Sequence, residues 1–441
     1  MRPETPANTR LLNAPLTLPC GAVLRNRLAK AAMTEGLADA DNRATERHLR
    51  LYQRWAANDF GVMLTGNVQV DRQHLERPGN IAIDGNGGLD QLRALARVAT
   101  ANGAHFWMQI NHAGRQTPAA INAQPLAPSA ISLPMAEAGC GQAQAMSVAQ
   151  IRDVIRRFTH VAVTARECGF TGIQLHAAHG YLISQFLSPL ANQRDDEWGG
   201  PLENRARLLM EIVRSVRRAV GADFPISVKL NSADFQKGGF SFEESMQVVR
   251  WLSDASIDLL EISGGNYEQM QMVGLGEQAQ TAGRPVVAST AAREAYFLDY
   301  ARQIRPLANM PLMITGGMRT LATMNEALQS GACEMVGIGR PICVDPDHAV
   351  GQLLRGEVDA LPTVEHGLQL APGALGPDAD AALFKRIESF GLLGWFCLQL
   401  LHLGEGRAPD LQMSVLDALH AYKANETEAA AAWVRPVREL A

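Results

Sequence analysis

Short runs of consecutive apolar residues alternate along this chain with longer stretches of helical spacing. Residues 28–33 (LAKAAM) precede an amphipathic stretch around 47–57, residues 61–65 (GVMLT) lead to a helix near 88–102, and residues 105–110 (HFWMQI) follow. Residues 172–176, 226–230, 258–262, 312–315 and 335–338 bring the strand-length runs to eight. Near-continuous apolar character, rather than strict alternation, predicts strands buried on both faces, as in a parallel sheet. The intervening segments carry helix signals. Ser147 with Gln150 reads as a capping box before Ile151, Val154, Ile155, Phe158 and Ala162, and residues 320–329 run to a stop at Ser330-Gly331. Strand followed by helix, eight times over, predicts an α/β fold of the (β/α)8 TIM-barrel type. An open doubly wound sheet lacks its Gly-rich turn after a first strand.

Three segments exceed the needs of a barrel. Residues 16–24 (LTLPCGAVL) read as a hairpin turning at Pro19-Cys20-Gly21 and plugging the barrel bottom. Residues 113–146 form a long connection on the face where barrels keep their chemistry. Beyond about Pro362 a flexible Ala/Gly/Pro stretch becomes helical, and residues 383–403 are apolar enough to demand burial on the chain's own barrel or at a subunit interface, which leaves a homo-oligomer open.

Composition narrows the picture. The chain has 441 residues, 47% of them hydrophobic, and a formal net charge of -5, which gives no electrostatic reason to expect nucleic acid or an anionic membrane. Six cysteines without a C-x-x-C pair argue against a disulfide framework or a thiolate metal cluster. The opening residues lack the apolar region of a signal peptide, and the greasiest stretch, residues 391–403, is shorter than a membrane span; a cytoplasmic location is the expectation.

Polar residues gather where the predicted strands end. ITGGM closes strand 7 and GIGR closes strand 8, a place where barrels bind phosphate through Gly-rich turns, and Arg340 adds a two-pronged donor. The alternative is that these glycines only make tight turns. His176 and His179, three residues apart beyond a strand, can offer two N–H donors to a carbonyl, and Tyr181 can supply a proton. A metal site lacks an obvious third ligand, and structural histidines remain open. Residues 188–209 read as a solvated loop running into a helix. Lys229 needs a buried partner, either an electron-rich cofactor or an internal ion pair with Asp234 or Glu261.

In order and spacing, the blocks HAAHGYLISQFLSPLANQRDDEWGGPLENRAR, VKLNSADF, ITGGM and MVGIGRP, supported by RNRLAKAAMTE, GVMLTGNVQV and Gln109-x-x-His112-Ala-Gly-Arg115, resemble the old yellow enzyme family of flavin-dependent ene-reductases. The resemblance runs from about Leu16 to Gly356. It implies non-covalent FMN, NADH or NADPH as transient reductant, and an enone or enal as small-molecule substrate. By position, Ala32, Met33 and Thr34 would lie along the flavin ring, Asn67 and Gln109 at its polar edge, and Lys229 by N1 and C2=O. Gly317, Met318, Gly339 and Arg340 would hold the phosphate. His176 and His179 would bind the substrate carbonyl, with Tyr181 as proton donor and no metal.

Ala32 stands where many members place proline, and Lys229 where arginine is common. Without clustered cysteines, the chain resembles the single-domain members rather than those with an iron–sulfur cluster. The expected division is an FMN-binding barrel over 1–360 and a helical extension over 361–441. Two other readings stay open: a flavin-dependent dehydrogenase of an amine or saturated ring, and a non-catalytic barrel that binds a phosphorylated ligand.

Overall fold

The eight apolar runs all become strands: β1 (Leu28–Lys30), β2 (Val62–Gln69), β3 (His105–Asn111), β4 (Gly172–Ala177), β5 (Ile226–Asn231), β6 (Leu259–Ser263), β7 (Leu312–Thr315) and β8 (Met335–Ile338). In the computed structural model, which describes residues 7–133, 139–263, 298–371, 374, 376 and 381–433, they close into a parallel barrel. β8 pairs back onto β1 through Gly337 opposite Ala29. The strands lack polar alternation because both faces are covered. Ala29, Val62, Leu64, Trp107, Leu259, Met313 and Met335 point into the barrel, while Met63, Phe106, Met108, Ile173 and Val228 join the core under the helices.

The hairpin of Leu16–Thr17 and Val23–Leu24 is antiparallel, with Leu16 opposite Leu24. Leu16, Leu18 and Leu24 share the inner barrel core, and the Cys20 N–H donates to Asp258 Oδ1 at 2.8 Å. This closes the bottom and leaves the strand C-termini as the open end.

The outer layer includes α1 (Glu46–Ala56), α2 (Leu89–Ala99), α3 (Val148–Glu167), α4 (Arg207–Val220), α5 (Phe242–Asp254) and α6 (Leu321–Gln329). Ser147 and Gln150 form their capping box, and Gly331, at φ +66°, follows the end of α6. At α1 the box is made by Thr45 with a histidine. His48 Nδ1 accepts the Thr45 N–H at 3.1 Å, so the ring must be unprotonated there. Burial, with Arg47 adding to it, pushes His48 down to about 4 despite the opposing pull of Glu35. Its stabilising contribution is complete above pH 6.5 and is lost as pH falls towards 4. The expected cost at pH 5 is about 2 kcal/mol, from about 1.4 kcal/mol per pH unit. Urea unfolding of wild type and His48→Gln at pH 7 and pH 5 checks this; an equal pH response in both proteins refutes it.

Past the barrel, α7 (Ala381–Gly404) and α8 (Val415–Ala432) form a closely crossed pair. A Cβ on Gly391 would lie 2.6 Å from Val415 Cγ1, and one on Gly394 would lie 2.9 Å from Tyr422 Cβ, so glycine permits the approach. By length and composition 387–404 could span a membrane, yet 67% of it is buried inside the protein. α7 packs on α1, where Arg50 Nε donates to Gly404 O at 2.8 Å. Arg77 forms an ion pair with Glu426 of α8, and Trp433 Nε1 donates to Asn42 Oδ1 at 2.9 Å.

Candidate active site

β4 ends by turning sharply into a short helix, Leu182–Leu187, with Tyr181 at its N-cap. His179 makes the turn in the left-handed region, at φ +62°, a costly conformation for a residue with a Cβ. Its surroundings hold it. Its N–H donates to Asn231 Oδ1 at 3.2 Å, its carbonyl accepts from Gln116 Nε2 at 2.9 Å, and its Nε2 lies 2.6 Å from Ser263 Oγ. The His176 ring packs edge-on against His179 at 5.0 Å and against Tyr181 at 4.9 Å. The three predicted residues are therefore one cluster at the barrel mouth. Burial, reinforced by the charge on Lys229, drives both imidazoles well below their usual pKa and keeps them neutral. His176 Nδ1 accepts the Ala178 N–H at 3.3 Å, which puts its own proton on Nε2.

A polar row crosses the barrel interior beside the cluster, with Lys229 paired in register with His176. Asn67 and Gln109 are paired on neighbouring strands, just beyond a register shift after Leu64. Gln109 Nε2 donates to Gln174 Oε1 at 2.7 Å, and Gln174 Nε2 donates to Glu261 Oε2 at 2.8 Å. Glu261 Oε1 lies 3.0 Å from Lys229 Nζ. Of the two acidic partners weighed for this lysine, Glu261 is the one that pairs with it. Asp234 instead accepts from Asn231 and from the Phe240 N–H.

Asn67 Nδ2 donates to Glu76 Oε2 at 2.8 Å and lies 3.4 Å from the Tyr181 hydroxyl. The Thr34 hydroxyl also donates to Glu76 Oε2, at 2.8 Å. Ala32 and Met33 are half-buried beside it. Gly66 sets the spacing: a Cβ there would lie 2.2 Å from Glu35 Oε2 and 2.5 Å from Met33 O. Gly66→Ala is expected to lose about 1–3 kcal/mol of stability by overpacking. An unchanged urea midpoint overturns that expectation.

At the ends of β7 and β8 the backbone is shaped by glycine. Gly316 and Gly317 take φ +115° and +78°, conformations that L side chains rarely adopt. Met318 is fully buried behind them, and a Cβ on Gly339 would meet Met33 Sδ at 3.2 Å. Arg340 caps the short helix Pro341–Val344. The first-strand residues and the phosphate-corner residues therefore meet, and the histidine cluster lies on another side of the same mouth.

Residues 12–351 match the NADH:flavin oxidoreductase / NADH oxidase family. The chain belongs to this family. It is 36% identical over 356 residues to the NADH-dependent flavin oxidoreductase iliE of Neonectria sp. (strain DH2), covering 75% of this chain but only 45% of that relative's length. It is 31% identical over 425 residues to the NADH-dependent flavin oxidoreductase nadA of Aspergillus parasiticus, covering 93% of this chain and 88% of the relative. That share leaves too few unmatched residues for the similarity to stop short of α7. The old yellow enzyme homologue from Zymomonas mobilis has the same fold, with a TM-score of 0.67 at 24% identity over 82% of this chain and 98% of that one.

The residues present fit the flavin of this oxidoreductase family. Among the described residues, buried Asn67 Oδ1 and Thr315 Oγ1 have no hydrogen-bond partner. A Cβ on Gly316 would meet nothing within 4 Å, so open space adjoins the glycine turn at the end of β7.

Sequence reasoning missed Glu76, which ties Thr34 to Asn67 from within a loop, seven residues beyond β2. Residues 188–209 do run as a loop into a helix, but the loop is less solvated than its composition suggests. Asn192 Nδ2 bridges Phe186 O and Trp198 O at 2.8 Å each, Trp198 is buried, and Arg205 pairs with Glu244. Arg194 and Arg205 donate to backbone carbonyls and pair with Asp196 and Glu244, while Asp195 and Glu197 stay exposed. Among the described residues, the grouping nearest to a metal site is Asp71, His74 and His112. His74 is already bonded on both nitrogens, to Asp71 and to the Leu126 N–H.

Proposed function

We propose that the chain is an FMN-dependent oxidoreductase that reduces the activated C=C bond of α,β-unsaturated carbonyl compounds, with NADH or NADPH as hydride source. The observation that carries this reading is the edge-on cluster of two neutral histidines and a tyrosine at the end of β4. When bound, the flavin supplies hydride transfer between nicotinamide and substrate. Ala32, Met33, Thr34, Asn67, Gln109 and Lys229 would hold its ring, and Gly317, Met318, Gly339 and Arg340 its phosphate.

His176, through Nε2–H, and His179 donate to the substrate carbonyl oxygen and withdraw electron density from the β-carbon. Because both rings are neutral, they stabilise negative charge on that oxygen as fixed dipoles in a buried setting. Tyr181 delivers its hydroxyl proton to the α-carbon. The Asn67 amide, 3.4 Å from the Tyr181 hydroxyl, helps to orient it.

The test uses enzyme reconstituted with FMN, reduced anaerobically by NADH and mixed with linear and cyclic enones. Reoxidation with formation of the saturated carbonyl product supports the reading. Reduced flavin that persists with every enone, together with oxidised flavin that is reduced by an amine or a saturated ring, replaces it with the dehydrogenase reading.

A further inference from the structure

The segment after residue 360 touches the loops that bear the candidate cofactor residues. The Leu361 N–H donates to Arg319 O at 2.7 Å, immediately after Gly317 and Met318. Arg319 Nη2 lies 2.6 Å from Glu365 Oε1, with both side chains nearly buried. One strand further on, the guanidinium of Arg340 sits over the ring of Phe396 in α7, with Cζ 5.5 Å from the centroid. Phe396 is itself fixed, buried and edge-on to Trp395 at 5.0 Å.

A guanidinium that lies on an aromatic face keeps its in-plane N–H groups as the donors for a phosphate. A free arginine side chain has several rotatable bonds to order before it can bind in two places, and stacking on a rigid ring removes that cost in advance. Phe396 contributes no polar atom, so its influence on an anion can pass only through the arginine.

We propose that Phe396 is a positioning residue for Arg340, which makes α7 a working part of the phosphate corner rather than an appendage. This inference rests on the flavin reading above. It assigns to a helix beyond the matched family region a role in selecting a phosphorylated flavin over its unphosphorylated form.

Riboflavin separates the phosphate grip from the ring site, because it carries the ring and lacks the phosphate. Apoprotein of wild type, Phe396→Ala, Phe396→Leu and Phe396→Tyr is titrated with FMN and with riboflavin, following the quenching of flavin fluorescence. Phe396→Ala and Phe396→Leu are expected to raise the FMN Kd about tenfold and to leave the riboflavin Kd within about twofold. Phe396→Tyr, which keeps the ring face, is expected to match wild type. Phe396→Leu fills much of the same volume, so folding is preserved if the alanine variant proves unstable. An unchanged FMN Kd in the leucine variant, or FMN and riboflavin weakened in equal proportion, overturns the inference. Wild-type protein that binds neither flavin would instead remove the flavin reading.

Discussion

His176→Ala is expected to lower kcat/KM for enone reduction by about 100- to 1,000-fold, the range for deleting one donor to a developing oxyanion. The His176 ring is only 3% exposed and its Nδ1 is already satisfied by the Ala178 N–H. Its remaining polar group is the Nε2 proton at the mouth of the barrel. Single-turnover reaction of the reduced enzyme with an enone, compared with its prior reduction by NADH, isolates the effect. An unaltered enone rate would end the carbonyl-binding role. The pH profile provides a second check. Burial and the Lys229 charge hold His176 and His179 well below the ordinary histidine value, so the wild-type rate should show no inflection near pH 6.5.

The second large effect is on stability. Lys229→Met is expected to cost about 3–5 kcal/mol, because it strands the Glu261 carboxylate in the barrel interior without its cation. Glu261 is fully buried, and among the described residues its carboxylate meets Lys229 and the Gln174 amide. Lys229→Met combined with Glu261→Gln removes both charges and keeps an acceptor for Gln174, so most of the loss should be recovered. Urea unfolding of the four proteins of this cycle measures the coupling. Additive losses would show that the two charges do not depend on each other.

The barrel was legible because strands covered on both faces cannot hide their composition. All eight runs became strands, and a capping box as explicit as Ser147 with Gln150 formed as written. His176, His179 and Tyr181 were also legible as a group, since they are close in sequence on one turn. Contacts between distant segments were not. Nothing local to Glu76 marks it as the acceptor for both Thr34 and Asn67. Lys229 offered two acidic neighbours, and only the pairing of β5 with β6, which sets Lys229 opposite Glu261, decides between them. Burial within the charged stretch after Ser188 was hidden for the same reason: Arg205 finds Glu244 on α5, which composition cannot reveal.

The hydrogen bond from Trp433 to Asn42 spans 391 positions. During synthesis the eight strands are complete nearly a hundred residues before that bond can form. A nascent chain therefore reaches a stage at which the barrel can close while its mouth is still unlatched. Contacts of such sequence separation fold slowly, since the loop must be closed before it is rewarded. A late, slow phase limited by docking of α7 and α8 is the expected kinetic signature of this architecture. On this order of events, flavin binding is expected after that phase, once α7 has docked.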